Sequence, residues 1–528
     1  MMVSSSVFNT DQASKTLDNV LGSRLTRPSL ASVKVNALSL DSRSIKAGDV
    51  FVALKGDLYD GKNYIAQALK KGAVAVLLDK DEILEDKKLN TALIAPVENI
   101  NQALSAIAAN FYDKPSEKLS VVGITGTNGK TSCAQFFAQA VALLGEPCGV
   151  MGTTGFGVFK YKAHDGAVGQ TMSSTGMTTP DPINVQKILA QFVEEKVGHC
   201  AIEVSSHGLV QHRVAAVSIK TAIFTNLSHD HLDYHGTMAA YGQAKAQLFA
   251  MPSVKHAVIN LDDDYSSALF KSLGEHVSLM TYSVCRQKTL LPSAAHFSLE
   301  SIEILEGQFT KAILLLEQDG HQSRYPFVTS LMGQFNLSNL LAVIAALYAE
   351  SFSIKKITDV IADIKTIDGR MERVNSNNSP QVLVDFAHTP DALEKALRAL
   401  KPYTKSQLWC VFGCGGDRDK AKRPQMAAIA EALADHIVIT SDNPRTEQPE
   451  LILDDVASGF NASNFYRIAD RAEAIAYAIE HASEADTILI AGKGHENYQI
   501  IGSEKHYFSD QEQARIALTK RDKRCAND

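Results

Sequence analysis

Short, nearly unbroken apolar runs recur along the whole chain, and they limit its fold more than any other feature. VVGIT (121–125), CAIEV (200–204), TAIFTNL (221–227) and AVINL (257–261) form one set. VLVDFA (382–387), LWCVFG (408–413), HIVITS (436–441) and TILIAG (487–492) form another. A strand covered on both faces reads as such a run, and helical patterns between several of them predict mostly parallel sheets flanked by helices. A smaller group, VFVAL (50–54) and AVAVLL (73–78) with an amphipathic stretch over 99–112, predicts a compact α/β unit. The segment 296–328 alternates apolar and polar residues instead, which predicts an antiparallel β extension.

At 528 residues the chain exceeds what a single hydrophobic core supports, so several domains are expected. The pattern gives three: an N-terminal α/β domain over 1–116, a central doubly wound, mostly parallel P-loop domain with its β extension over 117–351, and a C-terminal Rossmann-like α/β domain over 352–528. The charge balance of 52 basic against 59 acidic residues, without a basic block, lacks the footprint of a nucleic-acid binder. Seven scattered cysteines make no disulfide framework, and the nearest pair, Cys410 and Cys414, lacks a second pair to complete a zinc site. Residues 1–12 are polar, with no export-type apolar region. The longest apolar run, 340–349, is about half of what a bilayer span requires. A cytoplasmic protein without membrane spans is therefore expected.

After the strand 121–125 come Gly126, Thr127, Asn128, Gly129, Lys130, Thr131 and Ser132, and then an apolar-periodic helix over 133–144. Glycines let successive backbone N–H groups turn inward on phosphate oxygens, and a helix N-terminus adds a favourable dipole. Lys130 can reach β and γ oxygens, and Thr131 offers a hydroxyl to magnesium. ATP is the ligand this predicts. The generic pattern asks for glycine at position 124, where Ile124 stands, with glycines at 123 and 126 instead. The competing reading is an ordinary strand-to-helix turn, weakened because a buried lysine is costly unless it meets an anion.

Two neighbouring strand ends carry polar clusters: Glu203, Ser205, Ser206 and His207, and His229, Asp230, His231, Asp233 and His235. The run HDHLD resembles the opening of a binuclear metallo-hydrolase motif, but Tyr234 stands where that motif continues with histidine. Magnesium beside a triphosphate, held by one or two protein ligands, fits the cluster better. For His229 and His235 taken singly, capping a strand is an equally good reading. Lys245, with Phe249 one helical turn on, reads from sequence alone as a solvated or snorkelling lysine.

Together these residues resemble the Mur ligase family over most of the chain. The resemblance rests on LDSR (40–43), TGTNGKT (125–131), TTP (178–180), EVSSHGLVQHR (203–213), NLSHDHLDYHG (226–236), AKAQLF (244–249), GQFNLSN (333–339), GRME (369–372), DFAHTPDAL (385–393), GCGGDRDKAKRP (413–424), DNPR (442–445) and GKGHE (492–496). It implies an ATP-dependent ligase of peptidoglycan precursor synthesis. Such a ligase phosphorylates a substrate carboxylate and lets an amine attack the acyl phosphate. Lys130, Thr131, Glu203 and His231 would then work around Mg²⁺, and Lys245 would be a carbamylated lysine, N6-carboxylysine, which reverses the sequence-only reading. Asn336 and Asn339 match adenine-side contacts, and Arg370 and Asp385 match nucleotide contacts from the hinge and last domain. Leu40, Ser42, Thr178, Thr179, Ser205, Gln211 and Arg213 match positions that hold UDP-N-acetylmuramoyl-L-Ala-D-Glu. Met177 stands where a polar residue is expected, and that position is not carried over.

The choice of amine rests on Asp442, Asn443, Pro444 and Arg445. A guanidinium can grip the second carboxylate of meso-diaminopimelate in a two-pronged way, so Arg445 argues for that amino acid over lysine. Arg418, Gly492 and Glu496 match the rest of the pocket, with Glu496 suited to the distal ammonium. Taken alone, 442–445 reads better as a proline turn. A folylpolyglutamate synthetase and a bond-breaking P-loop ATPase or metallo-hydrolase are the alternatives. A monomer that binds no nucleic acid is expected.

Overall fold

A computed structural model describes residues 15–56, 60–82, 93–162, 167–284, 295–305, 309–374 and 380–525. Each group of apolar runs forms its own sheet. The first is a four-stranded parallel sheet of β1 (Leu38–Ser39), β2 (Val50–Ala53), β3 (Ala75–Asp79) and β4 (Ile94–Val97), covered by helix α1 (Ile100–Phe111). Leu104, Ile107 and Phe111 of α1 bury the apolar face read from the sequence. Ile183 of the second unit completes that core, so the two units pack directly.

The central sheet contains β5 (Ser120–Thr125), β6 (Cys148–Gly152), β7 (Gly155–Lys162), β8 (Ala167–Ser173), β9 (His199–Glu203), β10 (Ile219–Phe224), β11 (His256–Asn260), β12 (Ser278–Ser283), β13 (Ala295–Leu305), β14 (Phe309–Gln318) and β15 (His321–Thr329). Its order is β8-β7-β6-β9-β5-β10-β11-β12-β13-β14-β15. The strands from β6 to β13 in that order pair parallel, whereas β7, β8, β14 and β15 add antiparallel margins. The antiparallel extension expected over 296–328 is thus present. Neighbouring residues of β5 feed opposite cores. Val122 and Ile124 pack beneath helices α2 (Lys130–Leu143) and α4 (Gln334–Ala349), and Val121 faces Phe192 and Leu248. Helix α4 is apolar on nearly every side because it is enclosed, which is the rule for a fully buried helix. The other helix that matters here is α3 (Met238–Ala246).

The third sheet has strands β16 (Glu372–Arg373), β17 (Gln381–Asp385), β18 (Leu408–Phe412), β19 (His436–Ile439), β20 (Phe465–Arg467) and β21 (Thr487–Ala491) in the order β16-β17-β21-β18-β19-β20. All pair parallel except β16. Helices α5 (Pro390–Leu400), α6 (Lys422–Leu433), α7 (Arg471–His481) and α8 (Asp510–Cys525) flank it, and the hairpin of β22 (Tyr498–Ile501) and β23 (Glu504–Tyr507) follows β21. In both large sheets a strand from elsewhere in the sequence sits between chain neighbours: β5 between β9 and β10, and β21 between β17 and β18. Ligands of open α/β sheets bind beyond the carboxyl ends at such switch points. Cys133, Cys148, Cys200, Cys410 and Cys414 are free, buried thiols. Among the described residues no helix is long and apolar enough to cross a membrane.

Candidate active site

The loop after β5 is shaped by its glycines. Gly126 has φ +152°, and a Cβ there would stand 1.9 Å from the Thr225 hydroxyl. Gly129, with φ +86°, closes on Asn339 and starts α2. The strand end beside it holds the loop. Asn226 Oδ1 accepts from the Asn128 amide at 2.9 Å, and Thr225 Oγ1 donates to the Asn128 carbonyl at 2.6 Å. Lys130 Nζ donates to the Gly126 and Thr127 carbonyls, both at 2.7 Å. Burial lowers its pKa, with Glu203 and Asp230 pulling the other way. Ser132 follows on the buried first turn of α2.

Directly beneath, Glu203 ends β9 with 1% exposure. Its carboxylate accepts from Thr131 Oγ1 at 2.9 Å, the Thr153 amide at 2.9 Å and Thr153 Oγ1 at 3.0 Å, all neutral donors. A buried carboxylate without a cationic partner in its first contacts, next to a threonine hydroxyl and a phosphate-type loop, is a donor set that suits Mg²⁺. Among the described residues no three His, Cys, Asp or Glu side chains converge into a metal cluster of their own. The binuclear alternative therefore has no ligand set there.

The histidine cluster is compact. The His231 and His207 rings meet edge to face at 5.0 Å, and His207 lies 4.1 Å from the Tyr234 ring. His231 stands at φ +54°, next to Asp230 at 3.4 Å. Burial lowers the pKa of both histidines and favours neutral imidazoles. His235 bonds Ser206 Oγ at 2.9 Å, so it pins the helix after β9 rather than capping a strand.

Lys245 departs from its sequence-only reading. It is 1% exposed, and its ammonium sits 4.1 Å from the Tyr241 ring, one turn earlier on α3. The solvated reading fails because α3 packs against the short helices 206–210 and 232–235 with Tyr241, Ala244 and Lys245 buried. Burial first, and then Lys130, push its pKa well below the ordinary lysine value.

Thr178, Thr179, Ser205, Gln211 and Arg213 do come together. Thr179 Oγ1 donates to the Glu203 carbonyl at 2.9 Å and lies 3.0 Å from the Ser205 hydroxyl, and Arg213 reaches the Thr179 carbonyl at 2.5 Å and Gln211 Oε1 at 2.6 Å. Thr178 joins through Thr153 at 3.0 Å. The exposed Met177 offers its sulfur to Arg213 at 3.6 Å. Leu40 and Ser42 are held by partners in the first unit. Leu40 packs on the first core, and Ser42 bonds Gln67 at 2.8 Å.

Asn336 Nδ2 donates to the Met332 carbonyl at 2.9 Å, and Asn339 Oδ1 accepts from Cys133 Sγ at 3.6 Å. Asp385, at the end of β17, accepts from the Met371 and Ala387 amides at 2.8 Å, while burial raises its pKa against the pull of Arg370. Arg370 lies over the Phe386 ring at 4.6 Å with its Nε buried and unbonded. The third unit touches the phosphate loop itself: Asn128 Nδ2 donates to Asp391 of α5 at 2.9 Å. Two cavities flank this seam. One of about 470 Å³ is lined by Ser228, Asp263, Asp391 and Lys395, and the other of about 490 Å³ by Gln135, Gln139, Ile367 and His495.

Beyond β21, Asp442, Asn443, Gly492 and Glu496 converge. Asn443 Nδ2 donates to Glu496 Oε2 at 3.0 Å, and the Gly492 backbone abuts Asp442. Arg445 stands at φ +53° with its Nη1 on the Gly416 carbonyl at 2.7 Å, and the Pro444 carbonyl accepts from Glu447 N at 3.1 Å. Arg418 is exposed and donates to the Asp417 carbonyl at 3.1 Å. The motifs gave no role to three further residues of these sites: Thr153, Asp391 within 385–393, and Lys493 within 492–496. Only Lys493 carried a signal, standing between two glycines at a strand end.

Fold and site define a phosphate-loop α/β enzyme built on three main sheets, in which carboxylates and cations gather at two switch points. The family models match in register with them: "Mur ligase family, catalytic domain" over 34–112, "Mur ligase middle domain" over 124–347 and "Mur ligase, glutamate ligase domain" over 369–494. The UDP-N-acetylmuramoyl-L-alanyl-D-glutamate–2,6-diaminopimelate ligase of Pseudomonas aeruginosa is 46% identical over 488 residues, 92% of this chain and 95% of that protein. Its Pseudomonas putida counterpart is 44% identical over 492 residues, with the same coverages. A solved structure of a ligase of that name superposes with TM-score 0.67 at 32% identity, covering 96% of this chain and 99% of that one. The Thermotoga maritima MurF ligase in complex with ADP shares the fold, with TM-score 0.59 at 18% identity. The chain belongs to the Mur ligase family.

Proposed function

We propose that the protein is the ATP-dependent ligase that joins meso-diaminopimelate to the D-Glu γ-carboxylate of UDP-N-acetylmuramoyl-L-Ala-D-Glu, a cytoplasmic step of cell-wall precursor synthesis. The observation that carries this reading is the pairing of the Gly126–Thr131 loop with the Arg445–Glu496 pocket in one chain. The high identity to ligases of that name supports it. In this reading the three domains span 1–116, 117–351 and 352–528 and serve the UDP substrate, ATP and the amine.

Phosphoryl transfer needs positioning and charge neutralisation more than covalent help. The loop amides and Lys130 would hold the β and γ oxygens, with Lys130 exchanging two carbonyl partners for phosphate. Thr131, Glu203 and His231 would hold Mg²⁺, which when bound supplies charge neutralisation at the transferring phosphoryl. Asn336, Asn339, Arg370 and Asp385 would seat the nucleoside, the unbonded Arg370 Nε being free to donate to it. Thr178, Thr179, Ser205, Gln211 and Arg213 would orient the acceptor carboxylate for attack on the γ-phosphorus. The amine held by Asp442, Asn443, Arg445 and Glu496 would then attack the acyl carbon, forming the amide bond with loss of a proton while the C–O bond to phosphate breaks and orthophosphate leaves. Burial lowers the pKa of Lys245 and so favours the neutral, nucleophilic amine, and the proposed carbamate would form when that amine adds carbon dioxide and releases a proton.

Incubation with ATP, the UDP-dipeptide and meso-diaminopimelate, with the acceptor carboxylate labelled in oxygen, tests the reading. Orthophosphate should be released only with both acceptors present and should carry the label. Release without the amine and without label would favour a plain ATPase. Carbon-13 resonances after exchange with labelled bicarbonate test the carbamate.

A further inference from the structure

Lys493 is fully buried, at 0% exposure, among residues of the amine pocket. Its ammonium meets Asn443 Oδ1 at 3.2 Å, Asp442 Oδ1 at 3.3 Å and Glu496 Oε2 at 3.5 Å. The Tyr498 ring stands 5.6 Å away, and the Tyr498 hydroxyl donates to Glu496 Oε1 at 3.1 Å. The neighbouring buried cation, Arg471, is already matched by two bonds of 2.7 Å to Asp510 and adds no net charge. Arg418, Asp417 and Lys505, the last with its ammonium 3.5 Å from the Tyr498 ring, are exposed and screened by water. The groups that set the pocket's charge are therefore two carboxylates, Asp442 and Glu496, against two cations, Lys493 and Arg445.

That balance is neutral, and a neutral pocket that still offers separate anionic and cationic contacts suits a zwitterion. A buried charge without a partner is heavily penalised, so the pocket and its ligand have to match in sum as well as in geometry. With Lys493 removed the same pocket would be one unit negative, which suits a bare alkylammonium such as the side chain of lysine. We propose, on the reading that this is the amine site, that Lys493 is a positioning and specificity-determining residue. It holds Asp442, Asn443 and Glu496 in one array and cancels one carboxylate, which tunes the pocket to a second amino-acid head and against a simple amine.

The test compares kcat/KM for meso-diaminopimelate and L-lysine in the full-length wild type, Lys493→Met and Glu496→Gln, together with the ATP KM and Tm. For Lys493→Met the diaminopimelate-to-lysine preference should fall about tenfold or more, the size of one charge-assisted contact, with the ATP KM within about twofold. Glu496→Gln leaves the pocket one unit positive and should raise that preference, even as both rates fall. This second variant keeps the proposal falsifiable where Lys493→Met fails to fold. An unchanged preference in both variants, with losses common to both amines, would make Lys493 purely structural and overturn the proposal alone. A wild type that ligates neither amine would overturn the parent reading, and the proposal with it.

Discussion

The phosphate loop and the amine pocket each hold a lysine just beyond a parallel strand, yet their charges are arranged in opposite ways. Lys130 rests on two carbonyls, and Glu203 on neutral hydroxyl and amide donors, so neither charge is cancelled by direct contact. Lys493 touches both carboxylates of its pocket. The first site is organised for charges that arrive with a ligand, phosphate for the lysine and a cation for the carboxylate. The second is balanced in advance and selects by the sum. Removing a charge should therefore damage chemistry at the first site and selectivity at the second.

The largest effect should come at the loop. Lys130→Ala should lower kcat/KM for ATP by about 10³-fold, roughly 4 kcal/mol of transition-state stabilisation, with little change in Tm. Next, Arg445→Ala should raise the diaminopimelate KM by about 10² while the ATP KM stays within about twofold. Equal changes in both would erase the contrast between the sites.

A third measurement uses pH. Burial, and then Arg370, lower His495 from 6.5 to about 4. Because the folded state holds the neutral form, the stabilisation is complete above pH 6.5 and is lost as pH falls toward 4. Chemical denaturation should show a loss on the order of 1–2 kcal/mol across that window after allowance for solvent screening, and His495→Asn should flatten it. The smallest effect concerns the strut between the units. Asn128→Ala and Asp391→Ala should be non-additive in kcat/KM by about 0.5–1 kcal/mol in a double-mutant cycle, as their 2.9 Å bond requires.

Much of this molecule is readable in its residues. The strands around 121–125, 200–204 and 487–491 are apolar throughout because helices cover both faces of their sheets, and covered strands leave that mark whatever their partners. Gly129 and Lys130 declare the loop because glycine at positive φ and lysine at a helix start are local requirements. Thr153 was invisible, since a threonine after a strand says nothing about a glutamate fifty residues away. Asp391 was equally silent about its role, as its partner Asn128 lies in the phosphate loop of another unit.

Lys245 marks the boundary between the two kinds of information. Spacing along the chain determined the alternation of strands and helices, the phosphate loop and the order of the polar clusters, because those follow from backbone geometry over a few residues. Only the tertiary structure decided which charges are dry and which face each other. Burial of Lys245 beside Tyr241, of Glu203 under Thr131 and of Lys493 between two carboxylates depends on strand order and helix orientation. Desolvation and Coulomb energy are set by neighbours in space, and those neighbours come from distant parts of the chain.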